Sequence, residues 1–287
     1  MPALLKNTRC LSLALLLIAP LALAKGVHYD VFLLAGQSNM DGRGKTAELT
    51  GELATYTTPL PSVVISLSTG GLNRPLVVSK GFEPLQPGFA GIIGKAATLP
   101  SPQFGPELGF GHTLAKAHPE KHLLLIKCTE GGTNLKNDWN PDQPNKLYDR
   151  LIAFVRTNQK TMEANGDTYE IRGFLWHQGE SDAGQPAGVY QANLTALIQR
   201  VRTDLGLPQL PVIIGQVYNN GKRDNIFADQ KSVVSTVPET YLVESTGLET
   251  WDNGTHFDAK SQIELGARFA REILKQDHRA KGTNPSS

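Results

Sequence analysis

Five short runs along the chain are apolar with almost no polar alternation inside them: Tyr29–Ala35, Leu123–Cys128, Ile171–Trp176, Val212–Val217 and the shorter Tyr241–Glu244. A half-exposed strand alternates, whereas a strand covered on both faces reads as a near-continuous apolar run, so these predict parallel strands between two layers. Between them the period changes to that of a helix. Pro106 opens a segment that runs to about Ala117 and stops before Pro119, with proline acceptable only in the first turn. Leu147, Leu151, Ile152, Phe154 and Val155 give the next segment an apolar face, and Tyr190, Leu194, Leu197, Ile198 and Val201 the one after. The last helix begins near Asp258, a suitable N-cap, and turns Ile263, Leu265, Phe269, Ile273 and Leu274 inward. Alternating strands and helices predict an α/β fold, a three-layer α/β/α sandwich around a mainly parallel central sheet. In such folds ligands bind outside the carboxyl ends of the strands.

Residues 41–105 break the alternation. They are rich in Gly, Pro, Ser and Thr, and only Val63–Leu67 and Leu76–Val78 read as strands. The expectation is an insertion containing a hairpin, folded over the site of an otherwise single domain spanning 25–287, since long irregular segments inside a domain tend to be functional. The tail after Gln276 is polar.

The N-terminus reads as an export signal, which removes it from the fold. Lys6 and Arg9 precede an apolar stretch from Leu11 to Leu23, and Ala22-Leu23-Ala24 supplies a small-x-small cleavage pattern before Lys25. The apolar stretch is short for a membrane span, so no stable membrane association is expected after cleavage. The destination is the periplasm or the exterior. With Cys10 inside the signal only Cys128 remains, so no intrachain disulfide can form. Cys128 ends an apolar run and reads as buried.

Charge narrows the partner. There are 28 Lys and Arg against 27 Asp and Glu, which is no basic excess of the kind that binds nucleic-acid backbones. No histidine–carboxylate pattern has metal-ligand spacing, so chemistry without metal or cofactor is expected.

The chemistry resides in four blocks at predicted strand ends: Gly36-Gln37-Ser38-Asn39-Met40, Glu130-Gly131-Gly132-Thr133-Asn134, Trp176-His177-Gln178-Gly179-Glu180-Ser181-Asp182, and the segment from Asp252 to Phe257. Ser38 follows the first apolar run and becomes a nucleophile only if a base reaches it. Of the seven histidines, His256 has the block context for that base. His28, His112, His118, His122 and His278 have none, and His177 reads as an orienting or substrate-contacting group. The first and third blocks in this order resemble the SGNH-type hydrolases, which are flavodoxin-like sandwiches, and among them carbohydrate esterase family 6 and the sialate O-acetylesterase domain. The resemblance covers most of residues 29–275.

The resemblance implies a secreted serine esterase that removes O-acetyl groups from an acetylated poly- or oligosaccharide, with acetyl-xylan first and O-acetylated sialic acid as the alternative. Lipid or thioester hydrolysis on the same scaffold and a binding module without activity are the remaining readings. It implies Ser38 as nucleophile and His256 as base and then acid. It also implies an oxyanion hole from the Ser38 amide, the Gly132 amide with Gly131 as neighbouring alternative, and a side-chain amide at the position of Gln178. The third triad member is open. The family's acid stands three residues before the histidine, where this chain has Asn253. Asp252, one residue further away, and Glu180 are the two candidates, with Glu180 slightly favoured. Gln37 and Asn39, flanking the nucleophile, are candidate substrate contacts that also brace the loop. Trp139 and Trp251 are possible sugar platforms or simple packing.

Overall fold

A computed structural model describes residues 26–93, 95, 97–252 and 254–282. The proposed signal, 1–24, and Asn253 lie outside the described residues. In chain order the elements are β1 (His28–Gly36), the single-turn α1 (Ser38–Asp41), β2 (Gly44–Lys45), 3-10 turns at Thr46–Glu48 and Gly51–Thr57, β3 (Leu60–Thr69), β4 (Val77–Val78), β5 (Glu83–Leu85), β6 (Gln103–Phe104), α2 (Glu107–Ala117), β7 (His122–Thr129), α3 (Leu147–Asn165), β8 (Thr168–His177), a 3-10 turn at Glu180–Asp182, α4 (Val189–Leu205), β9 (Val212–Gly215), α5 (Asp224–Thr236), β10 (Thr240–Val243) and α6 (Ala259–Gly282). The eight-stranded sheet has the order β10-β9-β8-β1-β7-β3-β4, with β5 also paired to β3. Its β3, β7, β1, β8, β9 and β10 run parallel, and only β4 and β5 are antiparallel.

The unbroken apolar strands follow from this layering. Val31, Leu33 and Ala35 of β1 pack with Leu151 and Val155 of α3, Leu194, Leu197 and Val201 of α4, and Ile226 and Val233 of α5. Phe32 and Leu34 face the other way, against Leu108, Phe110 and Leu114 of α2 and Leu265, Phe269 and Ile273 of α6. Apart from Ala35, each of these side chains stabilises the fold by about 2 kcal/mol when fully buried. Asp258 caps α6, its Oδ1 accepting the Ser261 amide at 2.7 Å, as its place before the periodic stretch predicts.

The insertion takes a different course from the one expected. The runs at 63–67 and 76–78 do become β3 and β4, antiparallel to each other, but β3 joins the central sheet beside β7 and does not fold over the site as a separate flap. Parts of the segment reach the carboxyl edge: Arg43 from its start and Arg74 from its middle both lie beside Gly131. Helix α5 has no counterpart in the hydrophobic pattern. Its buried stripe is Ile226, Asp229, Gln230 and Val233, so the spacing is helical but the two middle positions are polar.

Register then assembles the site. Gly36 at the end of β1 pairs with Thr129 at the end of β7 and with His177 at the end of β8. A one-residue shift at Arg172, between Val31 and Phe32 of the neighbouring strand, makes the second alignment possible. Three strands therefore stop at one level, and the blocks that follow them leave the sheet side by side.

Candidate active site

Gly36 makes the turn from β1 into Ser38. Its φ of 146° favours glycine, and a Cβ there would stand 2.1 Å from the His177 carbonyl oxygen. The chain then enters α1, which is only four residues long. With one turn there is little macrodipole, and what Ser38 gains is a first-turn N–H without an intrahelical acceptor more than an oriented helix. Ser38 itself is buried to 4 % exposure.

The histidine comes from the loop between β10 and α6. Thr250 and Phe257 form an antiparallel bridge, and the Trp251 amide donates to the His256 carbonyl at 3.0 Å. Within this narrow loop Asp252 folds back over four residues. Its Oδ1 accepts the amides of Thr255 at 3.0 Å and His256 at 2.7 Å, and its Oδ2 lies 2.5 Å from His256 Nδ1. His256 Nε2 lies 3.1 Å from Ser38 Oγ. Burial alone would raise the Asp252 carboxyl, but the backbone and ring N–H groups of His256 outweigh it and hold the acid below the usual carboxylate range. An ionised carboxylate only accepts, so Nδ1 carries the proton and Nε2 presents its lone pair to the serine hydroxyl.

Glu180 is turned elsewhere, which corrects the preference for it as the histidine's partner. Its Oε1 accepts Asn39 Nδ2 at 2.6 Å and lies 3.9 Å from His177 Nδ1, and among the described residues no hydrogen bond joins it to His256. Asn39 is fully buried and its side chain is used as a clamp. Nδ2 also donates to the Thr255 carbonyl at 2.9 Å, and Oδ1 accepts the Phe257 amide at 3.1 Å. The residue after the nucleophile thus holds both sides of the histidine loop. Gln37 ties the nucleophile to the third block in the same way. Its Oε1 accepts Gln178 Nε2 at 3.0 Å and the Ser181 amide at 3.3 Å, and its amide donates to the His177 carbonyl at 3.1 Å.

Gln178 is the second correction. Its Nε2 faces three acceptors, Gln37 Oε1, the Thr133 carbonyl at 3.1 Å and Asp182 Oδ2 at 2.6 Å. An amide nitrogen with two protons has none left for an oxyanion. The Gly131–Gly132 turn does reach the serine. A Cβ on Gly131 would lie 3.5 Å from the Ser38 Cβ, while Gly132 is exposed with φ 77° and open space beside it.

His177 is fully buried against Phe257; burial pushes its ring below the ordinary histidine value, against the pull of Glu180. Trp139 is buried too, edge-on to Trp176 at 5.2 Å, with Nε1 donating to Thr133 Oγ1 at 2.9 Å. Trp251 differs: it is 40 % exposed and stacks on the His256 ring at 5.7 Å and 19°. Arg223, which no block signals, braces the histidine loop by donating to the Gly254 carbonyl at 2.7 Å and Thr255 Oγ1 at 3.0 Å. Gln230 of α5 supports the third block, its Nε2 donating to the Gln178 carbonyl at 3.2 Å. Among the described residues no group of three His, Cys, Asp or Glu side chains is placed to hold a metal ion. Nor, among them, is any helix long and apolar enough to cross a membrane.

A hydroxyl, an imidazole and a carboxylate in hydrogen-bonded series at the carboxyl edge of a parallel sheet define the hydrolase class with an activated serine. Residues 28–275 match the family described as carbohydrate esterase, sialic acid-specific acetylesterase, and the chain belongs to it. It is a carboxylic ester hydrolase of the kind that removes O-acetyl groups from carbohydrate. A protein of Arabidopsis thaliana named as a probable carbohydrate esterase is 28 % identical over 253 residues, covering 85 % of this chain and 90 % of the relative. The fold matches the crystal structure of an Arabidopsis thaliana protein with TM-score 0.66 at 24 % identity, over 86 % of this chain and 98 % of the other. It matches NanS with TM-score 0.64 at 16 % identity, over 89 % and 99 %. A carbohydrate acetylesterase from Xanthomonas citri gives TM-score 0.57 at 18 % identity, over 86 % of this chain and 57 % of that one.

Proposed function

We propose that the enzyme deacetylates sugars through an acetyl-Ser38 intermediate, with Asp252 as the third member of the triad. The observation that carries this reading is the Ser38 Oγ–His256 Nε2 contact of 3.1 Å with Asp252 on the far ring nitrogen. Ser38 Oγ attacks the acetyl carbonyl as Nε2 takes its proton. The carbonyl oxygen becomes an anion, met by the amide of Ser38 and an amide of the Gly131–Gly132 turn. Collapse breaks the bond to the sugar oxygen, which leaves with the proton from Nε2. Water then gives a proton to Nε2 and its oxygen to the acetyl carbon, and acetate departs as Ser38 recovers its proton. Asp252 stays ionised throughout and stabilises the imidazolium.

Two substrates suit this chemistry. Acetyl-xylan rests on the resemblance of the motifs to carbohydrate esterase family 6. O-acetylated sialic acid has a specific observation in its favour: Arg74, whose Nη1 lies 3.5 Å from the position a Gly131 Cβ would take, puts a cation near Ser38 for an acidic sugar. Export before Lys25 would deliver the enzyme to either. Acetate release from acetylated xylan and from O-acetylated sialic acid, by wild type and by Ser38→Ala, tests both. Release from one of the two by wild type alone identifies the substrate. Equal release by wild type and Ser38→Ala removes the serine from the mechanism.

A further inference from the structure

The oxyanion hole as assembled from the sequence blocks lacks its third donor, because the Gln178 amide is committed to Gln37, Thr133 and Asp182. A different side chain stands beside the nucleophile. Arg43 is 1 % exposed, and its guanidinium is only partly used. Nη1 carries all its hydrogen bonds, to Asp41 Oδ2 at 3.0 Å, to the Gly42 carbonyl and to the Gly91 carbonyl at 3.4 Å. Nε is buried with no partner among the described residues. No hydrogen bond to Nη2 occurs among them either. A buried Nε without a partner is costly, and Nη2, which is not among the buried orphan atoms, is left as a charged donor open to a ligand.

The position of Nη2 says what that is. The point that a Cβ on Gly131 would occupy lies 2.4 Å from Arg43 Nη2 and 3.5 Å from the Ser38 Cβ. The guanidinium and the nucleophile therefore flank the same small space, and Gly131 lacks a side chain where one would strike Arg43. Below, the arginine is fixed from the other side. Asp41 is fully buried and also accepts Thr69 Oγ1 at 2.8 Å, Thr129 Oγ1 at 2.7 Å and the Gly91 amide at 3.0 Å. Its backbone carbonyl accepts the buried Lys127 Nζ at 2.9 Å. Asp41 thus needs only one nitrogen of Arg43, and a structural ion pair would leave the rest of the fork without a purpose.

We infer that Arg43 is a catalytic residue of this esterase, its Nη2 donating to the oxyanion of the tetrahedral intermediate in place of the side-chain amide used by the wider SGNH group. This rests on the reading of Ser38 as nucleophile. A fixed positive donor aimed at a charge that appears only in the transition state lowers the barrier without tightening ground-state binding. Asp41 and the carbonyls of Gly42 and Gly91 hold the fork while Nη2 does so.

The deciding experiment is a crystal structure of the wild-type enzyme after reaction with an alkyl fluorophosphonate, which leaves a tetrahedral phosphonyl group on Ser38. The expected result is Arg43 Nη2 at about 3 Å from the phosphonyl oxygen that also meets the Ser38 amide. A separation beyond about 4.5 Å, well outside hydrogen-bond reach, overturns the inference. If the reagent does not attach to Ser38 at all, the nucleophile assignment fails, and the role of Arg43 falls with it. Kinetics of Arg43→Lys and Arg43→Gln on p-nitrophenyl acetate give a second readout. Folded variants should lose about 100-fold in kcat with KM changed less than about 3-fold. A folded variant that keeps wild-type kcat overturns the inference. Should neither variant fold, the adduct structure alone decides.

Discussion

Asp252 and Glu180 both bear on the histidine loop, one from within it and one through Asn39, and the contrast between them explains how the site is divided. Asp252 is part of the loop, its side chain 27 % exposed, and takes two amides and the imidazole at once. Glu180 comes from the end of β8, its side chain only 3 % exposed, and takes the amide of Asn39. One carboxylate holds the ring that moves protons in the proposed mechanism. The other acts on the clamp that keeps the ring's loop beside Ser38. A carboxylate near a catalytic histidine is therefore assigned by which atom it meets, not by its distance from the block in sequence.

The largest expected effect in this comparison comes from the ring's own acid. Asp252→Asn should lower kcat on p-nitrophenyl acetate by about 10³- to 10⁴-fold, since the amide no longer fixes the tautomer or stabilises the imidazolium. Glu180→Gln keeps a hydrogen-bonding oxygen for Asn39, so its loss should stay within about 10-fold, with a lowered unfolding midpoint as the main symptom. A Glu180→Gln enzyme as inactive as Asp252→Asn would erase the division. The smallest effect is on stability against pH. The Asp252 carboxyl titrates below the 3.8 of a free aspartate when folded. Its ionised form therefore favours folding above that value, and the contribution is lost as pH falls through the lower, folded value. The wild type should unfold at a slightly higher temperature than Asp252→Asn at neutral pH, and the gap should close as the pH falls through the lowered, folded value. A gap that widens on acidification would mean that the carboxylate is not stabilised by the fold. The effect stays small because the group is partly exposed.

Much of the scaffold was legible because burial on both faces imposes a plain pattern. The five apolar runs match β1, β7, β8, β9 and β10 to within a few residues, and Asp258 caps α6. What escaped the pattern was polar and buried. Helix α5 went unread because Asp229 and Gln230 occupy its inward stripe. These are the residues that hold the site: Asp229 accepts the Gly188 amide at 3.0 Å and Gln230 accepts the Val217 amide at 3.1 Å. Arg43, Arg223, Asn39 and Gln178 share that character. Their side chains are engaged in hydrogen bonds, most of them to distant parts of the fold and, for Arg43, also to its neighbours Asp41 and Gly42, so periodicity carries no trace of them. The choice between Asp252 and Glu180 depended on the path of a loop with Gly254 at φ 81°, which spacing alone does not reveal. The insertion was recognised by composition, but β3's place in the sheet depends on its register with β7.

The most direct test of the Asp252–His256 pairing is the proton between them. In a proton NMR spectrum of the wild type at neutral pH, the His256 Nδ1–H should appear as a far-downfield resonance, shielded from exchange by the carboxylate. It should persist in Glu180→Gln and vanish or move sharply upfield in Asp252→Asn. A downfield signal that survives in Asp252→Asn and disappears in Glu180→Gln would contradict the account and return the histidine to the other carboxylate.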